Sequence, residues 1–211
     1  MTLWFATGNI HKKRELDAIL KAAAPGTELL IPGDAGSGFE QSGFAPEETG
    51  ATFLENALIK ARALYRLAAA AGKAAPVIAD DSGICVDVLG GRPGIYSSRY
   101  GSGGGNSLSD GERNALLLAE LGDNPARSGR FVCAMVLLWN EDRFFAVQET
   151  LEGELVSSLE AARGGGGFGY DPILFIPELG RTVAELSEDE KNRISHRGKA
   201  ARAIAGVLSI V

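Results

Sequence analysis

Short apolar runs alternate along this chain with stretches of helical period, and this alternation limits the fold more than any other feature. Three runs have the length and composition of buried strands, namely TLWFA at 2–6, TELLI at 27–31 and VIA at 77–79. Between the first two, apolar residues recur on one helical face at Leu16, Ile19, Leu20 and Ala23. The sequence therefore predicts a mixed α/β chain. Because no linker divides two cores, we expect one continuous domain over residues 1–211.

Three further helix starts are marked by capping boxes. In this motif a Ser or Thr side chain accepts from the N–H of a Glu three residues later, and the Glu accepts in return. The pairs are Thr52 with Glu55, Ser109 with Glu112, and Ser187 with Glu190. The last stretch, 195–211, is also predicted to be mostly helical. Apolar runs on both sides of 140–142 predict a β-hairpin, and the glycine-rich stretch 101–107 predicts a flexible or variable insert.

The composition excludes several classes of protein. The formal net charge is −6, whereas a nucleic-acid binder needs a basic footprint, so an anionic ligand must be held by local charges, backbone amides or a metal ion. No apolar run reaches the roughly 18 residues of a membrane span, and no signal peptide is visible, so we expect no membrane contact. The two cysteines, Cys85 and Cys133, lie in strand-like runs. They predict buried free thiols in a reducing compartment, the cytoplasm.

The first candidate for chemistry is the loop Thr7-Gly8-Asn9, which joins the first predicted strand to the first helix. A helix N-terminus presents unpaired amides and the positive end of a dipole, and both suit a phosphate group. Gly8 allows close approach of the backbone, and Lys12 follows one turn later. The plainer interpretation is an ordinary strand-to-helix turn, because the loop matches neither common phosphate-binding glycine motif.

The second candidate is the acidic pair Asp80-Asp81, at the end of the apolar run VIA. Successive strand residues face opposite sides, so only one of the two carboxylates can face a given cleft. Carboxylates are ligands that Mg²⁺ prefers. The alternative is a solvated turn. A second pair, Glu47-Glu48, precedes the capped helix at Thr52, where acidic residues also favour the helix dipole without any ligand.

Two further stretches could contact a nucleotide. GGFGYDP, at 166–172, places two aromatic residues between glycines and could offer a stacking face to a base, although buried rings in a tight turn explain it equally well. ISHRG, at 194–198, follows Lys191 and pairs a histidine with an arginine that can donate to carbonyl or phosphate oxygens. An exposed helix start is the alternative there. Only two histidines occur, His11 and His196, so a multi-histidine metal site is not expected.

These motifs follow one another in a characteristic order. TGN-x-x-K, EETG-x-T-F-x-ENA, ADDSG, GGFGYDP and SHRG together resemble the inosine triphosphate pyrophosphatase family, from Phe5 to about Ala203. The resemblance implies Mg²⁺-dependent hydrolysis of the α–β phosphoanhydride of inosine, deoxyinosine and xanthosine triphosphates. The products are the nucleoside monophosphate and pyrophosphate. It also implies an elongated α/β fold, a mixed central sheet flanked by helices, with two lobes around a central substrate cleft, usually as a homodimer.

The resemblance also assigns roles to individual residues. It implies that substrate phosphates are held by Thr7, Gly8, Asn9, Ile10, His11 and Lys12. It implies that Glu47 and Asp81 bind Mg²⁺ and that Asp81 is also the proton acceptor, with Asp80 pointing elsewhere or supporting the site from behind. The remaining substrate contacts implied are Ser82, Phe168, Gly169, Tyr170, Asp171, Lys191, His196 and Arg197. Donors in the last two would favour purines with a 6-oxo group over adenine.

Two other functions remain open at this point. A Maf-like nucleotide pyrophosphatase shares a similar fold and reaction, but its first loop differs and SHRG argues against it. A catalytically silent nucleotide-binding module is a different class of protein, and the presence of Lys12, Glu47 and Asp81 argues against it. The partners expected are purine nucleoside triphosphates and a second copy of the chain, with no nucleic acid and no membrane.

Overall fold

A mixed β-sheet organises the chain. The structure, a computed structural model, describes residues 1–40, 43–102 and 108–210. The strands are β1 (Thr2–Phe5), β2 (Glu28–Leu30), β3 (Val77–Val86), β4 (Ser128–Leu138), β5 (Phe144–Leu155), β6 (Leu174–Ile176) and β7 (Arg181–Thr182). Their order in the sheet is β2-β1-β3-β4-β5-β6-β7. β1 is parallel to β2 and β3, whereas β6 is antiparallel to β5 and β7.

The helices confirm the predicted starts. They are α1 (Ile10–Ala23), α2 (Phe53–Ala70), α3 (Asp110–Leu121), α4 (Glu188–Ile194) and α5 (His196–Leu208). Each of the three predicted capping boxes forms, at the first turns of α2, α3 and α4. The predicted α/β class with a mixed sheet is therefore confirmed. In the described part of the chain, each helix is too short or too polar to cross a lipid bilayer.

The predicted hairpin is also present. β4 and β5 are neighbours in the sheet, and Trp139 N donates to Arg143 O in the turn that joins them at 2.9 Å. On α1, Leu16, Ile19 and Leu20 are buried as predicted, but Ala23 in the last turn is exposed. Most of the predicted insert 101–107 lies outside the described residues.

The chain divides into two compact units, each assembled from separate segments. The first contains Met1–Asp81, Cys133–Glu149 and His196–Val211, and the second contains Ser82–Val132 and Thr150–Ser195. In the first unit, successive residues of the strands enter two different cores. Leu3, Phe5 and Ile78 pack with α1 and α5, whereas Trp4, Val77 and Ala79 pack with α2. This alternation decides where the side chains that follow Ala79 point.

The second unit has a core of its own. Leu117, Leu118 and Leu121 of α3 pack there with Ile84 of β3 and with Ile173, which precedes β6. Both cysteines are free thiols, as predicted; Cys133 is buried in the first unit and Cys85 is half-buried in the second.

Candidate functional site

Asp80 and Asp81 lie inside a strand and not at its end. β3 continues from Val77 through both aspartates and Ser82 to Val86, so the alternative of a solvated turn is wrong. Asp80 is 1% exposed and Asp81 is 7% exposed. Their side chains extend the alternation set by Ile78 and Ala79. Asp80 therefore points toward the α1 and α5 side, and Asp81 points toward α2.

Asp80 is the anchor of a buried cationic group. Its carboxylate lies 3.0 Å from Lys12 Nζ and 3.2 Å from Arg197 Nε, and Cys133 Sγ lies 4.0 Å away. Burial opposes the charge of this carboxylate, but the positive charges of Lys12, Arg197 and Lys60 outweigh it and hold the pKa of Asp80 well below its usual range. Asp80 is thus a permanent counter-charge, as expected of a residue that supports the site from behind.

Arg197 is held by carboxylates on two elements. Its Nη1 lies 2.5 Å from Glu15 Oε2, and its Nε contacts Asp80. The side chain is 2% exposed. Although burial disfavours the charged form, Asp80 and Glu15 raise the pKa of Arg197 above its usual value. Much of this guanidinium is therefore committed to the protein, which was not apparent from the motif SHRG.

Asp81 belongs to a different network, on the opposite face of β3. Its Oδ1 lies 3.0 Å from Lys60 Nζ, and its Oδ2 accepts from Asn56 Nδ2 at 3.2 Å. Lys60 Nζ also donates to Glu48 Oε1 at 2.8 Å. The lysine therefore bridges two carboxylates, with Asn56 fixing the rotation of one of them.

Asn56 and Lys60 were not singled out from the sequence, although α2 carried a signal for both, whereas Glu48 was noted only as a member of the acidic pair Glu47-Glu48. Asn56 and Lys60 are four residues apart and share a helical face with Ala57, Ala61 and Leu64, which are completely buried. An amide and an ammonium on an apolar face need polar partners in the interior. Their spacing pointed to such partners but did not reveal that Asp81 supplies them.

The charges around Asp81 compete. Burial raises the pKa of Asp81 above its ordinary value and Glu48 adds to the rise, whereas Lys60 and Asn56 oppose it. Burial likewise disfavours a charged Lys60, but Asp81, Asp80 and Glu48 raise the pKa of the lysine. Asp81 is therefore a carboxylate of increased basicity that lies beside a firmly protonated ammonium, an arrangement suited to accepting a proton from water.

The donors around Asp81 fit a hard divalent cation. Lys60 shows that a positive charge can be bound by Asp81 and Glu48 together, and both offer the oxygen ligands that Mg²⁺ prefers. Among the described residues, no group of three or more acidic, histidine or cysteine side chains could enclose a metal ion. Further ligands would have to be phosphate oxygens and water, which is usual for Mg²⁺. The predicted ligand Glu47 is exposed, and it is its neighbour Glu48 that accepts a hydrogen bond from Lys60.

The loop between β1 and α1 is ordered by its own side chains. Asn9 is the N-cap of α1, and its Oδ1 accepts from the N–H groups of His11 and Lys12. Thr7 Oγ1 accepts from Asn9 N at 3.1 Å. Several amides that a phosphate could have used are therefore already paired. Lys12, directed toward Asp80, is the cationic side chain that this loop contributes, whereas His11 is exposed.

The second unit contains the remaining predicted contacts. Asp171 is 4% exposed, and its Oδ2 accepts from Lys191 Nζ and from Phe168 N, both at 2.8 Å. The Lys191 ammonium also lies 4.9 Å from the centre of the half-buried Phe168 ring. Tyr170 is buried, and its hydroxyl donates to Ser97 O at 2.9 Å. Of the stretch Phe168 to Asp171, the Phe168 ring and Gly169 are therefore half-buried, and the ring is the side chain that is not fully enclosed.

Ser82 and His196 complete the predicted set. Ser82 follows Asp81 within β3 and is half-buried. His196 is the first residue of α5 and is 6% exposed, directly before the buried Arg197. The structure thus brings together Lys12, Asp80 and Arg197 in one network and Asp81 with α2 in another, while Phe168, Asp171 and Lys191 form a third group in the second unit.

Comparisons with known proteins identify the family to which this fold belongs. The model of the Ham1 family matches residues 3–207. A dITP/XTP pyrophosphatase of Treponema denticola is 48% identical over 205 residues, which cover 97% of each chain. The dITP/XTP pyrophosphatase of Thermus thermophilus is 45% identical over 97% of this chain and 90% of its own.

Solved structures agree with these relatives. A HAM1 protein from Coxiella burnetii superposes with a TM-score of 0.84 at 35% identity and covers the whole of both chains. The Staphylococcus aureus Ham1 protein gives a TM-score of 0.81 at 33% identity, over 99% of this chain and 98% of its own. Since the similarity extends through sequence and fold over nearly every residue, this chain belongs to the Ham1 family.

Proposed function

We propose that this protein hydrolyses non-canonical purine nucleoside triphosphates, namely inosine, deoxyinosine and xanthosine triphosphates, at the α–β phosphoanhydride. The products are the nucleoside monophosphate and pyrophosphate, and the reaction removes these nucleotides from the pool. The observation that carries the proposal is Asp81, a largely buried carboxylate of raised pKa beside Lys60 and Glu48. The names of the relatives, dITP/XTP pyrophosphatase, support the same substrates.

The reaction requires a base and positive charge near the phosphates. We assign the base to Asp81, which accepts a proton from the attacking water, and the positive charge to Lys12 and the loop from Thr7 to Lys12. We assign Mg²⁺ to Asp81 and the predicted ligand Glu47, an exposed residue whose neighbour Glu48 is joined to Asp81 through Lys60. When bound, Mg²⁺ would neutralise charge on the triphosphate and on the leaving pyrophosphate. Lys60 orients the Asp81 carboxylate and favours its ionised form.

The choice of base is assigned to other residues. Phe168 offers an aromatic face to the purine, and Lys191 and Asp171 fix its surroundings, with Gly169, Tyr170 and Ser82 as the neighbouring contacts. A 6-oxo group needs a donor, which an adenine with its 6-amino group would leave unpaired. Because Arg197 is held by Asp80 and Glu15, His196 is the first choice for this donor, and Arg197 keeps Asp80 ionised.

The setting of the activity is also proposed. Residues 1–211 form one catalytic domain that acts as a homodimer in the cytoplasm. The two free cysteines support a reducing compartment. The net charge of −6 argues against nucleic acid, and a small anionic nucleotide would be recruited by local groups such as Lys12.

Product analysis tests the reaction. The protein is incubated with Mg²⁺ and, separately, with inosine, deoxyinosine, xanthosine, guanosine and adenosine triphosphates, and the products are identified by mass spectrometry. Monophosphate and pyrophosphate from the first three, at rates far above those for the last two, are expected. Diphosphate with orthophosphate would exclude cleavage between the α and β phosphates, and no turnover of any substrate would favour a silent binding module.

A further inference from the structure

One glycine in the second unit is held at both of its backbone polar groups by the same helix. Gly169 N donates to Asp110 Oδ2 at 2.6 Å, and Gly169 O accepts from Asn114 Nδ2 at 3.1 Å. Asp110 and Asn114 are four residues apart on α3, so they present their side chains on one face of the helix. We call these two residues the glycine clamp.

The clamp is fixed to a rigid support. Leu117, Leu118 and Leu121 anchor α3 in the core of the second unit, and Asn114 is itself 4% exposed. Asp110 is more exposed, but its carboxylate is also contacted by Arg113. The position of Asn114 Nδ2 is thereby set by a packed helix, whereas the exposed Asp110 is held at the first turn of that helix by Arg113.

The loop that carries Gly169 is otherwise held by single contacts, among them Gly166 N to Ala184 O at 3.2 Å and the Tyr170 hydroxyl to Ser97 O at 2.9 Å. Residues 162–170 contain no helix or strand. Gly169 has a φ of 65° and Gly167 a φ of 73°, in the left-handed region that favours glycine. A side chain at Gly167 would collide with Asp171 Oδ2, the atom that accepts from Phe168 N at 2.8 Å. Phe168 therefore lies between Gly167, which leaves room for the Asp171 carboxylate, and Gly169, which is hydrogen-bonded to α3.

The Asn114 amide is oriented so that its nitrogen donates to Gly169 O, and this orientation leaves its oxygen without a hydrogen bond from any described residue. Among the described residues, Asn114 Oδ1 is buried and accepts no hydrogen bond, a condition that costs about 1–3 kcal/mol. Turning the amide over would place this oxygen against Gly169 O, where two acceptors would face each other. The amide is thus needed as a donor to Gly169.

We propose that Asp110 and Asn114 are positioning residues that fix Phe168 for stacking on the purine base, a role that nothing in the sequence motifs assigns to α3. The inference rests on the proposed function, since Phe168 matters for catalysis only if it contacts the base. Through Gly169, the clamp determines where the chain turns after Phe168 and hence where the ring points. It acts on the binding of all purine triphosphates alike and not on the choice of the 6-oxo group.

A double-mutant cycle separates positioning from general stability. kcat and KM for inosine triphosphate are measured for Asn114→Ala, Phe168→Ala and the combined variant. Asn114→Ala is expected to lower kcat/KM about 10-fold, mainly through KM, because a misplaced contact group loses binding energy. In the Phe168→Ala background the same change should cost less than about 2-fold, since coupled residues are not additive. Equal losses in both backgrounds would overturn the proposal.

Asn124→Ala is the matched control. Asn124 is another asparagine of the second unit, and its side chain also bonds to the backbone, with Oδ1 accepting from the N–H of Ala126 at 2.9 Å. Its removal should leave kcat/KM close to that of the wild type in both backgrounds. If Asn114→Ala does not fold, Asp110→Ala takes its place in the cycle. Asp110→Asn keeps an acceptor oxygen for Gly169 N, so its KM should stay close to the wild-type value. An equal increase in KM in both Asp110 variants would contradict the clamp.

Hydrogen exchange distinguishes failure of the clamp from failure of the proposed function. In the wild-type protein without nucleotide, the Gly169 amide should be protected, and Asp110→Ala should accelerate its exchange about 10-fold or more. Unchanged exchange overturns the clamp whether or not the protein is an enzyme. If Asp110→Ala accelerates exchange but the wild-type protein hydrolyses no purine triphosphate, the glycine clamp is retained. The proposed function is then refuted, and the positioning role of the clamp in purine binding is overturned with it.

Discussion

Replacing Lys60 by methionine should destabilise the protein strongly although the new side chain has a similar length and helix propensity. Lys60 Nζ lies 2.8 Å from Glu48 Oε1 and 3.0 Å from Asp81 Oδ1. The change removes the cation but leaves the carboxylate of Asp81, whose side chain is 9% exposed, near the carboxylate of Glu48. Removing one partner of a buried ion pair costs about 3–5 kcal/mol, because the charge left behind has lost its compensation.

A matched control lies on the same helix. Arg66 of α2 also pairs with a carboxylate, Glu141, at 2.6 Å, but the two side chains are 68% and 39% exposed. Exposed pairs contribute about 0.2–1 kcal/mol. Arg66→Met should therefore lower the free energy of unfolding by less than about 1 kcal/mol. Both variants remove a cation from α2, so the difference between their free energies of unfolding reports the effect of burial.

The assay is urea unfolding at neutral pH, with a chelator present and with circular dichroism as the signal. Lys60→Met should lower the free energy of unfolding by about 3–5 kcal/mol, and adding Asp81→Asn should restore part of that loss, since it removes the uncompensated charge. If Lys60→Met and Arg66→Met cost the same, or if Asp81→Asn in the Lys60→Met background adds to the damage, then Lys60 does not compensate a buried charge on Asp81.

Four other expectations follow from the same contacts. Asp81→Asn should lower kcat for inosine triphosphate about 10²- to 10⁴-fold, the usual cost of losing a general base; a kcat equal to the wild type would remove Asp81 from catalysis. Asp80→Asn should instead lower the free energy of unfolding in urea by up to about 3–5 kcal/mol, because the half-buried Lys12 and the buried Arg197 lose the carboxylate that they share, although Glu15 remains at Arg197; a change confined to kcat would contradict this. Phe168→Ala should reduce kcat/KM for inosine, xanthosine and guanosine triphosphates by similar factors, about 1–3 kcal/mol each, and a loss for only one of them would refute stacking. Burial raises the pKa of Tyr170 to about 12. Between pH of about 10 and this pKa, the native state therefore keeps the hydroxyl proton of Tyr170 while the unfolded chain loses it. The contribution of Tyr170 to the free energy of unfolding is complete below pH of about 10 and is lost as pH rises toward the native pKa. Tyr170→Phe should therefore flatten the alkaline fall in the urea midpoint, whereas Tyr96→Phe, at a tyrosine that is 55% exposed, should not.

Local signals in the sequence predicted the helices well. A capping box requires only residues three apart, so the starts of α2, α3 and α4 could be predicted from Thr52, Ser109 and Ser187. The class of fold followed from the alternation of strands and helices for the same reason. The division into two units did not, because the chain passes between them after Asp81, Val132, Glu149 and Ser195 with no linker to mark the change.

The continuity of β3 could not be predicted, because its charges are compensated from distant parts of the chain. Lys12 lies 68 residues from Asp80 and Arg197 lies 117 residues from it. Adjacent aspartates with no visible partner left a solvated turn open as an alternative, and only the tertiary structure shows that the partners exist. Lys60 was missed for a similar reason, although its position on the apolar face of α2 was visible.

The adjacency of Asp80 and Asp81 has a consequence for insertions and deletions in β3. β3 is held in register by β1, through Trp4 opposite Val77 and Phe5 opposite Ile78. One residue inserted between Ile78 and Asp80 would move Asp80 to the face of Lys60, and Ala79 or the inserted residue would then face Lys12. Deletion of Ala79 would move Asp81 to the face of Lys12, and Ser82 would then face Lys60. Each shift thus preserves one charge network and removes the carboxylate from the other, so either change should destabilise the protein even though an aspartate still occupies one of the two positions.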